Sequence, residues 1–287
     1  MSILDQIIAK KREEVAACKR YKSVAELEKQ GYFARACHSL SMSLIAPAST
    51  GIIAEFKRKS PSKGIINDRM GVDEVTRGYV EAGAACLSVL TDEHFFGGTY
   101  SDFELARKTN PGTPLLRKDF MIDEYQIIEA KSMGADVVLL IAAALSPSEV
   151  KTLGTLARSL GMETLLEVHD QEELDRSVGD YISVVGVNNR NLKNFSEQNV
   201  EASKVLADKI PAQFVKVSES CISSAEIIKE LKTYGYRGFL IGESFMKTTN
   251  PGAALTDFLK YPLLLFQIMT MENFHAVRYL ARLNVLP

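Results

Sequence analysis

The stretch KSMGADVVLLI, residues 131–141, decides the fold. A helical pattern ends at a glycine, and within a few residues a run that is apolar on both faces begins. The same phrase returns as EAGAACLSV (81–89) and KTYGYRGFL (232–240). A run apolar on both faces, set between helical segments, reads as a buried parallel strand. Working outward, eight such runs follow one another: GIIAEFK (51–57), ACLSVL (85–90), TPLLRK (113–118), ADVVLLI (135–141), ETLLEV (163–168), YISVVGVN (181–188), QFVKVS (213–218) and GFLIG (238–242). Helical patterns separate them at 73–82, 101–108, 123–133, 146–160, 170–178, 200–207 and 223–234. Several open on a cap, such as Asp123, or Ser146 with Pro147 at the first helical position. The steps average about 27 residues, near the roughly 30 that one strand and one crossover helix occupy. This eightfold repeat predicts an α/β fold, a single (β/α)8 TIM barrel over residues 51–260 with Pro251 to Lys260 as its eighth helix. A doubly wound sheet is the alternative, but it needs a topological switch and usually fewer strands.

On the N-terminal side, residues 1–50 read as a helical extension. Ile3, Leu4, Ile7, Ile8 and Val15 recur at helical spacing, and the charges Lys10, Lys11, Arg12, Glu13 and Glu14 between them read as a solvated face. A short helical segment at 24–30 and a polar stretch through Pro47 complete the extension. On the C-terminal side, residues 261–287 form a tail in which Phe274, Val277, Leu280 and Leu283 stand at threefold spacing, consistent with an added helix packed on the barrel or on a protein partner.

Composition removes several classes. The chain has 287 residues, 46% apolar and 24% charged, with 18 Gly and 9 Pro, a balance that excludes collagen-like, disordered and disulfide-scaffold chains. With 34 Lys and Arg against 36 Asp and Glu, the net charge of −2 lacks the basic excess of a general nucleic-acid or acidic-membrane binder. An anionic ligand must therefore be met by a local basic cluster. The four cysteines, Cys18, Cys37, Cys86 and Cys221, have no metal-ligand spacing and read as reduced thiols; the four histidines, His38, His94, His169 and His275, read as surface or satisfied residues. No apolar run approaches the ~18 residues of a membrane span, and the first residues are unlike a secretory signal, so the expectation is a cytoplasmic protein.

In such a barrel, polar residues at the C-terminal ends of strands face the mouth. Those positions hold Glu55 and Lys57, Lys118 and Asp119, Glu167, Asn188 and Arg190, Ser218, Glu219 and Ser220, and Gly242, Glu243 and Ser244. Glu55 and Lys57 share a strand face and could form a structural ion pair. Lys118, Glu167 and Asn188 at the same level weigh against that, because an interior packed for stability favours Val, Ile and Leu. Lysines facing carboxylates supply acid/base chemistry through mutual charge and desolvation. The loops VSESCISS and LIGESFMKTTNPG, after the seventh and eighth strands, stand where such barrels bind phosphate. KRKSPSKG, after the first strand, reads as a flexible cationic substrate loop rather than a nucleic-acid patch, since it lacks interleaved aromatics. Phe95, Phe96 and Phe120 near the mouth allow an apolar slot for an aromatic substrate.

Taken together, AEFKRKSPSKG, SVLTDEHFFGG, LLRKDFMIDEYQI, LLEVH, VGVNNRNL, VSESCI and LIGESFM resemble, in order, the indole-3-glycerol-phosphate synthases of tryptophan biosynthesis. The resemblance runs from the N-terminal helix to about Lys260 and implies a (β/α)8 barrel whose extra helices help cover the mouth. It also implies a carbon–carbon lyase that needs neither metal nor cofactor. That enzyme converts 1-(2-carboxyphenylamino)-1-deoxyribulose 5-phosphate to indole-3-glycerol phosphate, with loss of carbon dioxide and water. By similarity, Lys118 would be the general acid and Glu167 the base for dehydration. Lys57 would neutralise substrate charge and is a second candidate for acid duty, while Glu55 and Asn188 would hold hydroxyls and orient the lysines. Arg190 would support this network, Ser60 would approach the carboxylate, and Phe96 and Phe120 would hold the ring. Phosphate would fall to Ser220 and to the backbone at Cys221, Gly242 and Glu243. The family usually has Gly where Cys221 stands; if the position needs positive φ, a side chain costs ~1 to 2 kcal/mol. The tail beyond Lys260 is a second departure. The resemblance implies a small phosphorylated substrate, no nucleic acid and no membrane, and a monomer, with a protein partner for the tail left open. A phosphosugar isomerase, a Schiff-base aldolase on Lys118 or Lys57, and a non-catalytic barrel that binds a phosphorylated metabolite are the competing readings.

Overall fold

The computed structural model describes residues 2–190 and 199–260. All eight apolar runs are strands: β1 (Ile52–Phe56), β2 (Cys86–Leu90), β3 (Leu115–Lys118), β4 (Val137–Ile141), β5 (Glu163–Val168), β6 (Val184–Asn188), β7 (Val215–Glu219) and β8 (Tyr236–Ile241). Each pairs in parallel with the next, and β8 pairs with β1, Ile53 beside Leu240, so the barrel closes. Two apolar layers result, because successive side chains on a strand point to opposite faces. Ile52, Leu87, Val138 and Leu166 point outward into the layer under the helices. Ile53, Leu116, Leu139, Leu165, Val184 and Val217 fill the barrel itself.

The outer helices are α4 (Val72–Glu81), α6 (Tyr100–Thr109), α7 (Glu124–Ser132), α8 (Pro147–Ser159), α9 (Gln171–Ser177), α10 (Glu201–Leu206), α11 (Ala225–Thr233) and α13 over residues 251–260; α5 (Glu93–Phe96) and α12 (Glu243–Met246) are single turns at the mouth. The expected caps hold. The Asp123 carboxylate accepts from Tyr125 N, and Ser146 and Glu149 bond reciprocally with Pro147 in the first turn. Such caps satisfy N–H groups that the helix itself leaves unpaired. Among the described residues no helix is long and apolar enough to cross a membrane.

Before β1 come α1 (Ile3–Tyr21), α2 (Val24–Leu27) and α3 (Leu40–Ile45). Two expectations fail here. The stretch read as polar contains α3, too short to show a period, whose Leu40 and Leu44 plug the N-terminal end of the barrel. Glu163 at the start of β5 holds this plug, accepting from Ser39 Oγ at 2.6 Å and Ser41 N at 2.8 Å. The charged face of α1 is also not all solvated: Lys11 is buried, because it shares a stripe with Ile7 and Val15 at spacings of four. The tail, with Phe274, Val277, Leu280 and Leu283, lies outside the described residues.

Candidate active site

The alternation that fills the barrel also builds its mouth. Continuing two residues beyond Ile53, Leu116, Leu165 and Val217 brings Glu55, Lys118, Glu167 and Glu219 onto the inner face, and Asn188 stands level with Glu219. Lys118 Nζ lies 2.9 Å from Glu167 Oε2 and 3.1 Å from Glu219 Oε2. Asn188 Nδ2 donates to Glu167 Oε1 at 3.0 Å, and Lys57 Nζ meets Glu55 Oε1 at 2.8 Å. Room for these groups is left by glycines. A Cβ at Gly186 would overlap Glu219 Oε1, and one at Gly242 would stand 2.7 Å from Glu55 Oε1.

Burial opposes charge on all three central groups, and their surroundings then separate them. The carboxylates of Glu167, Glu219 and Glu55 overcome burial at Lys118, so its ammonium holds its proton well above the usual lysine range. Burial also works against the Glu167 carboxylate, but Lys118, His169 and the Asn188 amide outweigh it and draw its pKa down to about 2. Glu219 goes the other way. Burial, together with the Glu167 and Glu55 charges, overrides Lys118 and raises it to about 7, and its Oε1 finds no hydrogen-bond partner among the described residues.

Around this centre the cleft has two halves. One, about 170 Å³, is largely apolar and is walled by Phe96, Phe120, Leu139 and Ala143, with Ile3, Leu4 and Ile7 of α1 above it. The rings of Phe96 and Phe120 stand 6.0 Å apart. The other half, about 420 Å³, is polar: Ser220, Cys221, Gly242 and Glu243 line it with the basic side chains of Lys57, Lys63, Arg190 and Lys247. Glu55, Lys57, Arg190 and Ser220 border both halves. An aromatic body fits the first and an anion the second.

Most residues singled out in the sequence thus meet at one mouth; some do not. Ser60 is buried in a two-residue hairpin, Lys59–Ser60 against Gly64–Ile65, and lines neither half, its neighbours Pro61 and Ser62 doing so instead. Half of the cationic loop is committed to structure, with Arg58 paired to Asp102 and Lys59 donating to the His94 carbonyl at 2.7 Å. Asp119 borders the apolar half, but its carboxylate is taken up by Arg117 and Lys11. Arg190 reaches Ser62 Oγ at 3.2 Å and approaches Glu243 at 3.7 Å.

A family model described as indole-3-glycerol phosphate synthase matches residues 4–258. The chain belongs to the indole-3-glycerol phosphate synthase family. A synthase of that name from Bacteroides thetaiotaomicron is 49% identical over 258 residues, covering 90% of this chain and 98% of its own. One from Bordetella pertussis is 41% identical over 256 residues, covering 88% and 97%. Among solved structures, a mutant tryptophan synthase alpha-subunit from Pyrococcus furiosus superposes with a TM-score of 0.54 at 15% identity, over 73% of this chain and 96% of that one. KGPDC from Streptococcus mutans gives 0.53 at 14%, over 73% and 95%. At that identity the likeness is one of fold.

Within this indole-3-glycerol phosphate synthase mouth, two inward residues were not singled out from the sequence. Glu219 stood among the strand ends, but only its parity with Val217 marks it as inward. His169, read as a surface or satisfied residue, lines the cleft two residues beyond Glu167. Its Nδ1 lies 3.1 Å from Glu173 Oε2, and its Nε2 is 3.7 Å from Glu167 Oε1. The condition attached to Cys221 is met: its φ is 59°, and that of Ser220 is 67°. Burial pushes the Cys221 thiol up, which suits a spectator better than a nucleophile.

Proposed function

We infer that this protein closes the indole ring, converting 1-(2-carboxyphenylamino)-1-deoxyribulose 5-phosphate to indole-3-glycerol phosphate with release of carbon dioxide and water. The observation that carries the reading is the Lys118 ammonium between Glu167 and Glu219, at the floor of a cleft with one aromatic and one basic half. In this reading the carboxyphenyl ring enters between Phe96 and Phe120, and the phosphate sits by Ser220 and the backbone of Cys221, Gly242 and Glu243. Lys63, Arg190 and Lys247 supply positive charge to that end. Pro61 and Ser62 take over the wall position expected of Ser60.

Lys118 protonates the carbonyl oxygen as the aromatic carbon attacks, and its carboxylate neighbours keep that proton on it until then. Lys57, paired with Glu55, faces the substrate's negative charge. After carbon dioxide leaves, Glu167 removes the substrate proton while Lys57, the second acid, gives its own to the hydroxyl formed at the former carbonyl, which departs as water. The electrostatics suit that order. While Lys118 is charged, Glu167 is held near 2 and is a poor base; once Lys118 has given its proton away, the cation that depresses Glu167 is gone and its basicity rises. The acid step thereby arms the base. Asn188 keeps Glu167 aimed throughout. One chain supplies both halves of the cleft, so the reading needs no second subunit to complete the site.

The test is turnover of the carboxyphenylamino substrate, followed by indole fluorescence, which the protein does not mask because it has no Trp. Lys118→Met should lower kcat by about a thousandfold, within the range of a lost general acid. Absence of product from the parent chain, or a Lys118→Met variant as fast as the parent, overturns the reading.

A further inference from the structure

Lys11 enters none of the steps above, yet it is the most elaborately held cation in the N-terminal helices. Its side chain is 4% exposed, and its Nζ lies 3.0 Å from Asp92 Oδ2, 2.9 Å from Asp119 Oδ1 and 2.6 Å from Glu14 Oε2. Arg117 shares Asp119 at 3.2 Å and reaches Glu129 at 2.8 Å. Charges buried in this way are weak evidence for stability, because desolvation offsets most of what pairing returns. Their value lies in what the partners do next.

Asp92 turns its other oxygen to the backbone, where Oδ1 accepts from Phe95 N at 2.8 Å and Phe96 N at 3.3 Å and caps α5. The Asp119 oxygen that meets Lys11 also accepts from Phe120 N at 2.8 Å, and its other oxygen accepts from Thr91 Oγ1 at 2.6 Å. The two carboxylates that Lys11 joins are thus the ones that fix the backbone of the two cleft rings. Lys11 itself stands one turn beyond Ile7, on the helix that covers those rings. Other polar ties between α1 and the barrel fall later in the helix, at Lys19 with Asp123 and at the Cys18 and Lys22 carbonyls with Tyr125. Among the described residues Lys11 is the first such tie from the N-terminus.

We propose that Lys11 is a positioning residue that locks the covering helix, the Phe96 turn and the end of β3 into one geometry, and so sets affinity for the substrate's ring end without entering the chemistry. The proposal rests on the functional reading above, which assigns the apolar half to the carboxyphenyl ring. It predicts a division within one cleft: loosening Lys11 weakens the aromatic half and leaves the phosphate half, built from β7 and β8, as it was.

The experiment compares the parent with Lys11→Met, Lys11→Arg and the charge-matched double variant Lys11→Met/Asp92→Asn. Each is assayed for turnover, for inhibition by 2-aminobenzoate as a probe of the ring half, and for inhibition by inorganic phosphate as a probe of the other half. The urea midpoint reports folding. Lys11→Met should raise KM and the 2-aminobenzoate inhibition constant about tenfold or more, with kcat within about threefold and phosphate inhibition unchanged. The double variant should regain stability but not ring-end affinity, and Lys11→Arg should recover part of that affinity. Equal 2-aminobenzoate inhibition in parent and folded variant overturns the proposal. So does a loss that strikes both probes alike and returns with stability in the double variant. A parent that makes no product, yet binds 2-aminobenzoate and inorganic phosphate in calorimetric titrations, would overturn the functional reading and leave this division measurable by the same titrations of parent and variants.

Discussion

Neutralising the two carboxylates that share Lys118 should move stability in opposite directions. Glu167→Gln and Glu219→Gln each remove a buried negative charge from the same ammonium, at 2.9 and 3.1 Å. Glu167 falls on folding from 4.5 to about 2, so its charge stabilises the fold above pH 4.5, and that contribution is lost as pH falls through about 2. Glu219 rises from 4.5 to about 7, so the folded state favours its protonated form; stability is highest below pH 4.5 and is lost as pH climbs through about 7. At ~1.4 kcal/mol for each tenfold change in proton affinity, either effect has a ceiling of about 3 kcal/mol. Because both act on one lysine, the two changes should not add. The assay is urea unfolding of the parent and both variants at pH 5.5, 7 and 8.5. Glu219→Gln should gain on the parent between pH 5.5 and 7 and hold that gain above it, whereas Glu167→Gln should trail the parent most at pH 5.5, the gap narrowing toward pH 7 because Glu219 loses a charge that raises it. Both should turn over poorly. A Glu219→Gln difference that stays flat from pH 5.5 to 8.5, or a Glu167→Gln chain more stable than the parent, refutes the assignment of the proton.

Cys221→Gly should stabilise the chain by about 1 kcal/mol, since φ of 59° costs an L residue ~1 to 2 kcal/mol and glycine returns part of that in chain entropy; thermal unfolding checks it. Gly238→Ala should destabilise by about 1 to 3 kcal/mol, because the new Cβ would stand 2.6 Å from Val217 and 2.9 Å from Leu44 in a packed interior. Glu163→Ala should cost about 1 to 3 kcal/mol by releasing Ser39 and Ser41 from the plug, with KM and kcat unchanged because the site lies at the opposite end of the barrel.

The barrel was legible because its signal repeats. Residues 131–141 are ambiguous alone, but eight doubly apolar runs separated by helical patterns admit one closed sheet, and each run became a strand. Helix ends moved by a residue or two, where caps such as Asp123 stand outside the helix they begin. What stayed hidden depends on contacts distant in sequence. Helix α3 shows no period in six residues, and only the barrel floor makes sense of Leu40 and Leu44. Lys11 sits in a run of five charged residues, and its burial depends on Asp92 and Asp119 far along the chain. At the mouth, chemistry and strand position selected Lys118, Glu167 and Asn188, while Glu219 and His169 needed the rule of two carried past the last apolar residue. Ser60 is the converse case: the resemblance marks the position, while the hairpin leaves its hydroxyl buried and outside both halves of the cleft.

The plug formed by α3 bears on the order in which the chain can assemble. Leu44 rests against Gly238 of β8, and Leu40 and Leu44 join a cluster that includes Val217 of β7 and Leu240. These strands are the last two to be synthesised. On a ribosome, where folding begins from the N-terminus, α3 emerges before every strand that forms its seat, and that seat is complete only when β7 and β8 have followed. A nascent chain stalled before β7 would carry a half-built seat for these leucines and an open sheet edge. The stopper is thus made before the cylinder it closes, and the last two strands complete both the wall and the seat.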